Sequence, residues 1–108
     1  MSADPDDEIT EERFLGAVSA LSSEEPALSQ LGAAILAALR FGIAKDSRTF
    51  SRKFDIAHAL VLREIAALSD DAGFFQVVGR NPRTQRTELA LTESALQLLS
   101  RARISRDK

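Results

Sequence analysis

Apolar positions recur at helical spacing along most of this chain, and the period shortens to two only beyond residue 73. Phe14, Ala17, Val18 and Leu21 make a first stripe, which predicts a helix starting at Thr10. The stretch "SSEEP" should stop it and open the next helix, with Pro26 near a first-turn position and the glutamates suited to the positive end of the dipole. Leu28, Leu31, Ile35, Ala38 and Leu39 mark that second helix, and Gly42 is its C-cap. Leu36 and Ala37 make it apolar almost all round, so it should be buried on two sides.

"KDSRTFSRKF" predicts a short third helix, with Ser47 as N-cap and Phe50 and Phe54 as a buried i,i+4 pair. Arg48, Arg52 and Lys53 would face outward. The chain should then turn around Asp55 and Ile56 before a fourth helix, roughly Ala57 to Leu68, which Asp70, Asp71 and Gly73 end. Beyond it, "FFQVVGR" is β-branched and aromatic, a strand signal, and "NPRTQ" is turn chemistry. "RTELALT" alternates, with Thr87, Leu89 and Leu91 on one face and Arg86, Glu88 and Ala90 on the other. Together these predict a β-hairpin with an arginine-rich tip. Thr92 can cap a last helix carrying Ala95, Leu96, Leu98, Leu99 and Ala102.

The expected fold is therefore mainly α with a small β-hairpin, in the element order of a winged helix-turn-helix domain. It should form one domain over residues 10–108, behind a disordered acidic tail at residues 1–9.

Charge sharpens this picture. Residues 1–44 carry eight acids against Arg13 and Arg40, a net −6, whereas residues 45–108 carry twelve Lys and Arg against eight acids, a net +4. Such a split suggests a basic working surface on the second half, although a solvated scatter of charge gives the same totals. The longest uncharged apolar run, Leu31 to Leu39, falls far short of the roughly 20 residues of a membrane span. There are no cysteines and one histidine, His58, so an ordinary zinc site cannot be assembled. Gly42, Gly73 and Gly79 are isolated and form no phosphate loop, and the paired acids lie at helix ends or in the tail. No catalytic constellation emerges, no cofactor is called for, and a non-enzymatic cytoplasmic protein is expected.

Helical stepping from Val61 puts Ile65 and Leu68 on the buried face of the fourth helix and Ala59, Arg63, Ala66 and Ala67 on the far side. Leu60 and Leu62 sit on the flanks, with His58 between Leu62 and the core. Small outer residues let a backbone approach a major groove, and Arg63 could reach guanine O6 and N7. A solvated helix, or one packed on a partner chain, would carry the same face. His58 suits either a phosphate contact or a partly buried structural role. Arg80, Arg83 and Arg86 lie within seven residues at the hairpin tip, a spacing that favours nucleic acid over a bland loop.

"DIAHALVLREIAAL" resembles the helix-turn-helix pattern G-I-S-x-x-T-V-S-R-x-I-x-x-L, with Ile56, Val61, Arg63, Ile65 and Leu68 on its I, V, R, I and L. The hairpin followed by "LALTESA" is similar to the wing of the MarR family, where D-x-R precedes L-T-x-x-G; here Asn81 and Arg83, then Leu91 and Thr92, take those places. The resemblance covers about residues 28–100. It implies a dimeric bacterial transcription regulator that binds double-stranded DNA, one recognition helix per subunit in the major groove and Arg83 in the adjacent minor groove. It further implies Arg80 and Arg86 as backbone contacts, with Arg63, His58 and Ala59 sensing base edges. Asp55 departs from the pattern's glycine, and Ala57, Leu60 and Leu62 from its hydroxyl residues, so phosphate anchoring would shift to Arg48, Arg52 and Lys53. The last helix is shorter than the family's dimerisation helices, so a homodimer would use the first helix and the apolar face of the last. A small-molecule effector stays open, and no residue marks its pocket. The competing class is a winged-helix module that binds protein without reading DNA.

Overall fold

The computed structural model describes residues 10–69 and 73–104. The acidic tail, the Asp70–Asp71 helix stop and residues 105–108 lie outside the described residues. The order is α1 (Glu11–Glu24), α2 (Gln30–Phe41), α3 (Ser47–Phe54), α4 (His58–Ala67), β1 (Phe75–Arg80), β2 (Thr87–Leu91) and α5 (Glu93–Arg101). The fold is mainly helical with one small antiparallel hairpin, as the periodicities predict.

Side-chain caps set most of the boundaries. Thr10, Ser29 and Thr92 each accept a backbone N–H three residues on, at 3.1, 2.9 and 3.2 Å, and open α1, α2 and α5. Pro26 is therefore not in the first turn of α2. It lies in the turn after α1, because the Ser29 hydroxyl satisfies an orphan N–H that Pro26 has no means to cap. Ser47 is likewise not the cap of α3. Asp46 accepts from Thr49 N at 2.8 Å and takes that role, which puts Ser47 inside the first turn, fully buried. Gly42 ends α2 in the left-handed region at φ 74, as expected.

Helix α2 is the hub. Gly32, Ala33, Ile35, Leu36, Ala37 and Ala38 are all buried, and the helix packs on α1, α4 and β2. On α4, Val61, Ile65 and Leu68 close the core, while Leu98 and Leu99 of α5 complete it beside Leu21. Phe54 stacks on Phe14 with ring centres 5.0 Å apart and lies tilted against Phe50 at 4.5 Å, which ties α3 to α1. Leu96, grouped with the apolar positions of α5 in the sequence, is exposed instead.

The hairpin pairs Phe75 with Leu91, Val77 with Leu89 and Arg80 with Thr87, and the register slips between Val77 and Gly79. The bulge leaves Val78 exposed and brings Gly79 against Glu88. Thr87 and Leu89 are buried and Arg86 and Glu88 exposed, which matches the expected alternation, but Ala90 and Leu91 are both half-buried, so the alternation fades at the end of β2. The segment before α3 joins this sheet edge: Asp46 bridges Glu88, and Leu89 N donates to Lys45 O at 3.0 Å. No alternation in the sequence marks that third strand-like contact, because it is too short to carry a period.

Candidate nucleic-acid interface

Helix α3, helix α4 and the hairpin adjoin through a buried hydroxyl. Ser47 Oγ accepts from Thr87 N at 2.9 Å and lies 2.7 Å from His58 Nε2. One oxygen thus bonds the hairpin and the first residue of α4. Burial lowers the His58 pKa, Arg48 adds to the effect and Asp46 opposes it, so the neutral ring is favoured. With the ring proton on Nδ1 a neutral ring accepts the Ser47 O–H at Nε2, with the proton on Nε2 it donates to Ser47 Oγ, and in either tautomer Ser47 accepts from Thr87. His58 is thereby committed to an internal bond at one nitrogen, and only its Nδ1 is left for another partner.

The outer face of α4 is as the helical stepping predicts. Ala59, Arg63, Ala66 and Ala67 are exposed, Leu62 is half-buried, and Leu60 is 46% exposed. Glu64 turns inward, accepting from Ser29 Oγ at 2.6 Å and joining α4 to the start of α2. Beside α4, a groove of about 460 Å³ runs between Leu62 and Ala66 on the helix and Val77, Arg80 and Gln85 on the hairpin.

The turn between the strands is held by Asn81, whose Oδ1 accepts from Arg83 N at 2.9 Å and Thr84 N at 3.3 Å. Gln85 closes it in the left-handed region at φ 64. Arg48 reaches across from α3, donating from Nε and Nη2 to Thr84 O at 3.0 and 2.8 Å. Arg86 returns the contact, its Nε 3.4 Å from Asp46 Oδ1. Burial alone would raise the Asp46 pKa, but bonds from Thr49, the Arg86 charge and the Arg48 N–H hold it below the ordinary carboxylate value.

The nine residues singled out in the sequence therefore divide. Arg48, Arg52 and Arg86 line one cleft with Asn81 and Thr84, and Arg80 and Arg83 line an adjoining depression with Pro82 and Glu88 that shares Arg86 and Asn81 with the first. Arg63 and Ala59 stand on the exposed face of α4. Lys53 turns the other way, its Nζ donating to Ile43 O at 3.0 Å just past the end of α2, where a cation complements the dipole. His58 points to Ser47. Sequence reasoning missed Ser47 and Thr87, which are fully buried polar residues. The "DS" pair at the start of α3 was the available signal, since Asp46 can cap as well as Ser47 and would free the serine. Comparison with protein-family models, with curated proteins and with solved structures finds no match to this chain.

Proposed function

We propose that this chain binds double-stranded DNA as a winged helix-turn-helix transcription regulator of MarR-like type, with α4 as recognition helix and the hairpin as wing. The observation that carries the reading is the exposed face of α4. It presents Ala59, Arg63, Ala66 and Ala67, with Arg80 of the hairpin across the groove beside it and the Arg48 charge near His58 at its start. A helix of ten residues is about 15 Å long and about 10–12 Å across with its side chains, comparable with the width of a major groove. Alanines on its outer side permit close approach, and Arg63 can make the bidentate contact to guanine. Arg83 on the turn supplies the minor-groove probe, and Arg80 and Arg86 supply backbone contacts.

Selection from a random duplex pool with the purified protein, at two salt concentrations, tests this reading. An enriched motif at low salt, weakening steeply as salt rises, is the expected result. The exposed Leu60 on α4, with Val77 and Val78 on the hairpin, favours a second reading in which this face docks on a protein. That reading predicts no enriched motif and a partner whose binding changes little with salt.

A further inference from the structure

We propose that Arg48, Arg52 and Arg86, with the side-chain amide of Asn81, form a single site for one phosphate group where α3 meets the hairpin turn. The cleft measures about 300 Å³, and its lining of Arg48, Arg52, Asn81, Thr84 and Arg86 contains no carboxylate. Three arginine side chains sharing this cleft repel one another, and among the described residues the one ion pair that offsets their charge is that of Arg86 with Asp46, outside the lining. An oxyanion between them relieves the repulsion and gains charge-assisted, forked hydrogen bonds.

The donors are preorganised to different degrees. Arg48 spends Nε and one Nη2 donor on Thr84 O, which fixes the plane of its guanidinium and leaves its other N–H groups unused. Arg86 is oriented through Nε by Asp46, which again leaves its terminal nitrogens available. Asn81 Oδ1 is occupied by two backbone N–H groups, so the polar atom it can still offer is the Nδ2 donor. Arg52 lies one helical turn after Arg48 and has no polar partner among the described residues, so it can close on a bound anion. Thr84 O already accepts from Arg48. Apart from the Thr84 hydroxyl, which accepts from Arg86 N at 3.2 Å and keeps its own O–H, the side-chain groups the cleft has left to offer are donors.

The phosphate can be a backbone diester of duplex DNA, which rests on the proposed function, or the phosphate of a small molecule, which does not. Two measurements separate them, using wild type, Arg52→Gln and the charge-retaining Arg52→Lys. In the first, the enriched duplex, or a random one if none is enriched, carries a neutral methylphosphonate linkage at each backbone position in turn. In the second, inorganic pyrophosphate is titrated while the arginine Nε–Hε NMR signals are followed. For a diester, one linkage per bound copy loses about tenfold in affinity in wild type, as expected for a lost charge-assisted bond, and clearly less in Arg52→Gln, where only Arg48, Arg86 and Asn81 are left to hold that phosphate. Arg52→Gln should also lower the slope of log affinity against log salt by about one, with Arg52→Lys retaining most of that slope but losing the linkage preference.

Concerted pyrophosphate shifts of Arg48, Arg52 and Arg86, lost in Arg52→Gln and unaccompanied by a coupled linkage, assign the site to small phosphates. If duplex DNA is also not bound, the DNA reading falls while the site stands. Duplex binding with the same linkage penalties in wild type and Arg52→Gln, and no concerted pyrophosphate shift, overturns the site and leaves the DNA reading intact. Neither duplex binding nor pyrophosphate shifts overturns both.

Discussion

Ser47 is a small residue on which three segments depend. Its hydroxyl is inaccessible to water and bonds the Thr87 amide and the His58 ring, so α3, α4 and β2 meet at one atom. Ser47→Ala should leave the buried Thr87 N–H without a partner and cost about 1–3 kcal/mol, measured by denaturant unfolding. A loss under a few tenths would show that the hydroxyl is dispensable. His58 makes the same junction sensitive to pH. Because folding lowers its pKa, the unfolded chain takes up the proton first as pH falls through the ordinary histidine value of 6.5. Stability should be full above that pH, fall as pH drops toward the lower folded-state value, and level off beneath it until carboxylates protonate. His58 is the chain's one histidine, so His58→Gln should flatten the slope just below 6.5. An unchanged slope would assign it elsewhere.

Among the elements, α2 sets how closely its neighbours approach. A Cβ at Gly32 would lie 2.6 Å from Leu68 Cδ1, 3.1 Å from Leu28 Cδ1 and 3.2 Å from Glu64 Oε2. All three are tips of flexible side chains, so Gly32→Ala should displace those tips and leave the helix backbones in place, at a net cost of up to about 1 kcal/mol after alanine's own preference for the helix. A stabilised variant in thermal unfolding would refute this close packing. The turn from α3 to α4 has a related constraint: Asp55 sits in the left-handed region at φ 55, where the helix-turn-helix pattern has glycine. The departure in residue type therefore falls at a position whose backbone favours glycine. Aspartate tolerates this conformation better than most residues. The hairpin owes its placement to polar contacts, Arg48 to Thr84 and Arg86 to Asp46, as well as to Phe75 and Leu89 in the core.

At the scale of the molecule, the proposed function gives Arg63 and the hairpin arginines distinct roles, and these have different signatures. Arg63→Ala should relax sequence preference, at about 1–3 kcal/mol on the selected site, whereas nonspecific duplexes lose little. Arg83→Ala with Arg86→Ala should weaken binding to all duplexes alike and reduce the salt dependence. If the double variant binds as wild type, the hairpin does not touch DNA. For the homodimer that the family resemblance implies, exposed Leu15 on α1 and Leu96 on α5 are the apolar positions on the two helices expected to pair. Leu15→Asp with Leu96→Asp should shift the mass in light scattering from dimer to monomer, and a wild-type monomer would refute the dimer.

Local pattern determined much of this protein. The 3.6-residue stripe of Val61, Ile65 and Leu68, the Gly42 and Thr92 caps and the Thr87–Leu89 alternation were all legible, because each depends on neighbours within a turn or a pleat. Placing Arg63 on an open face needed nothing more. The cap of α3 was less legible, since Asp46 and Ser47 are adjacent and equally able to cap. Only the tertiary structure decided that Asp46 takes the cap and Ser47 the junction. It also separated arginines that look alike in sequence, sending Arg48, Arg52 and Arg86 to one cleft, while Lys53 turned to the end of α2. Those partners are distant in the chain. A periodicity reports which side of an element is buried, but not which distant side chain shares its surface.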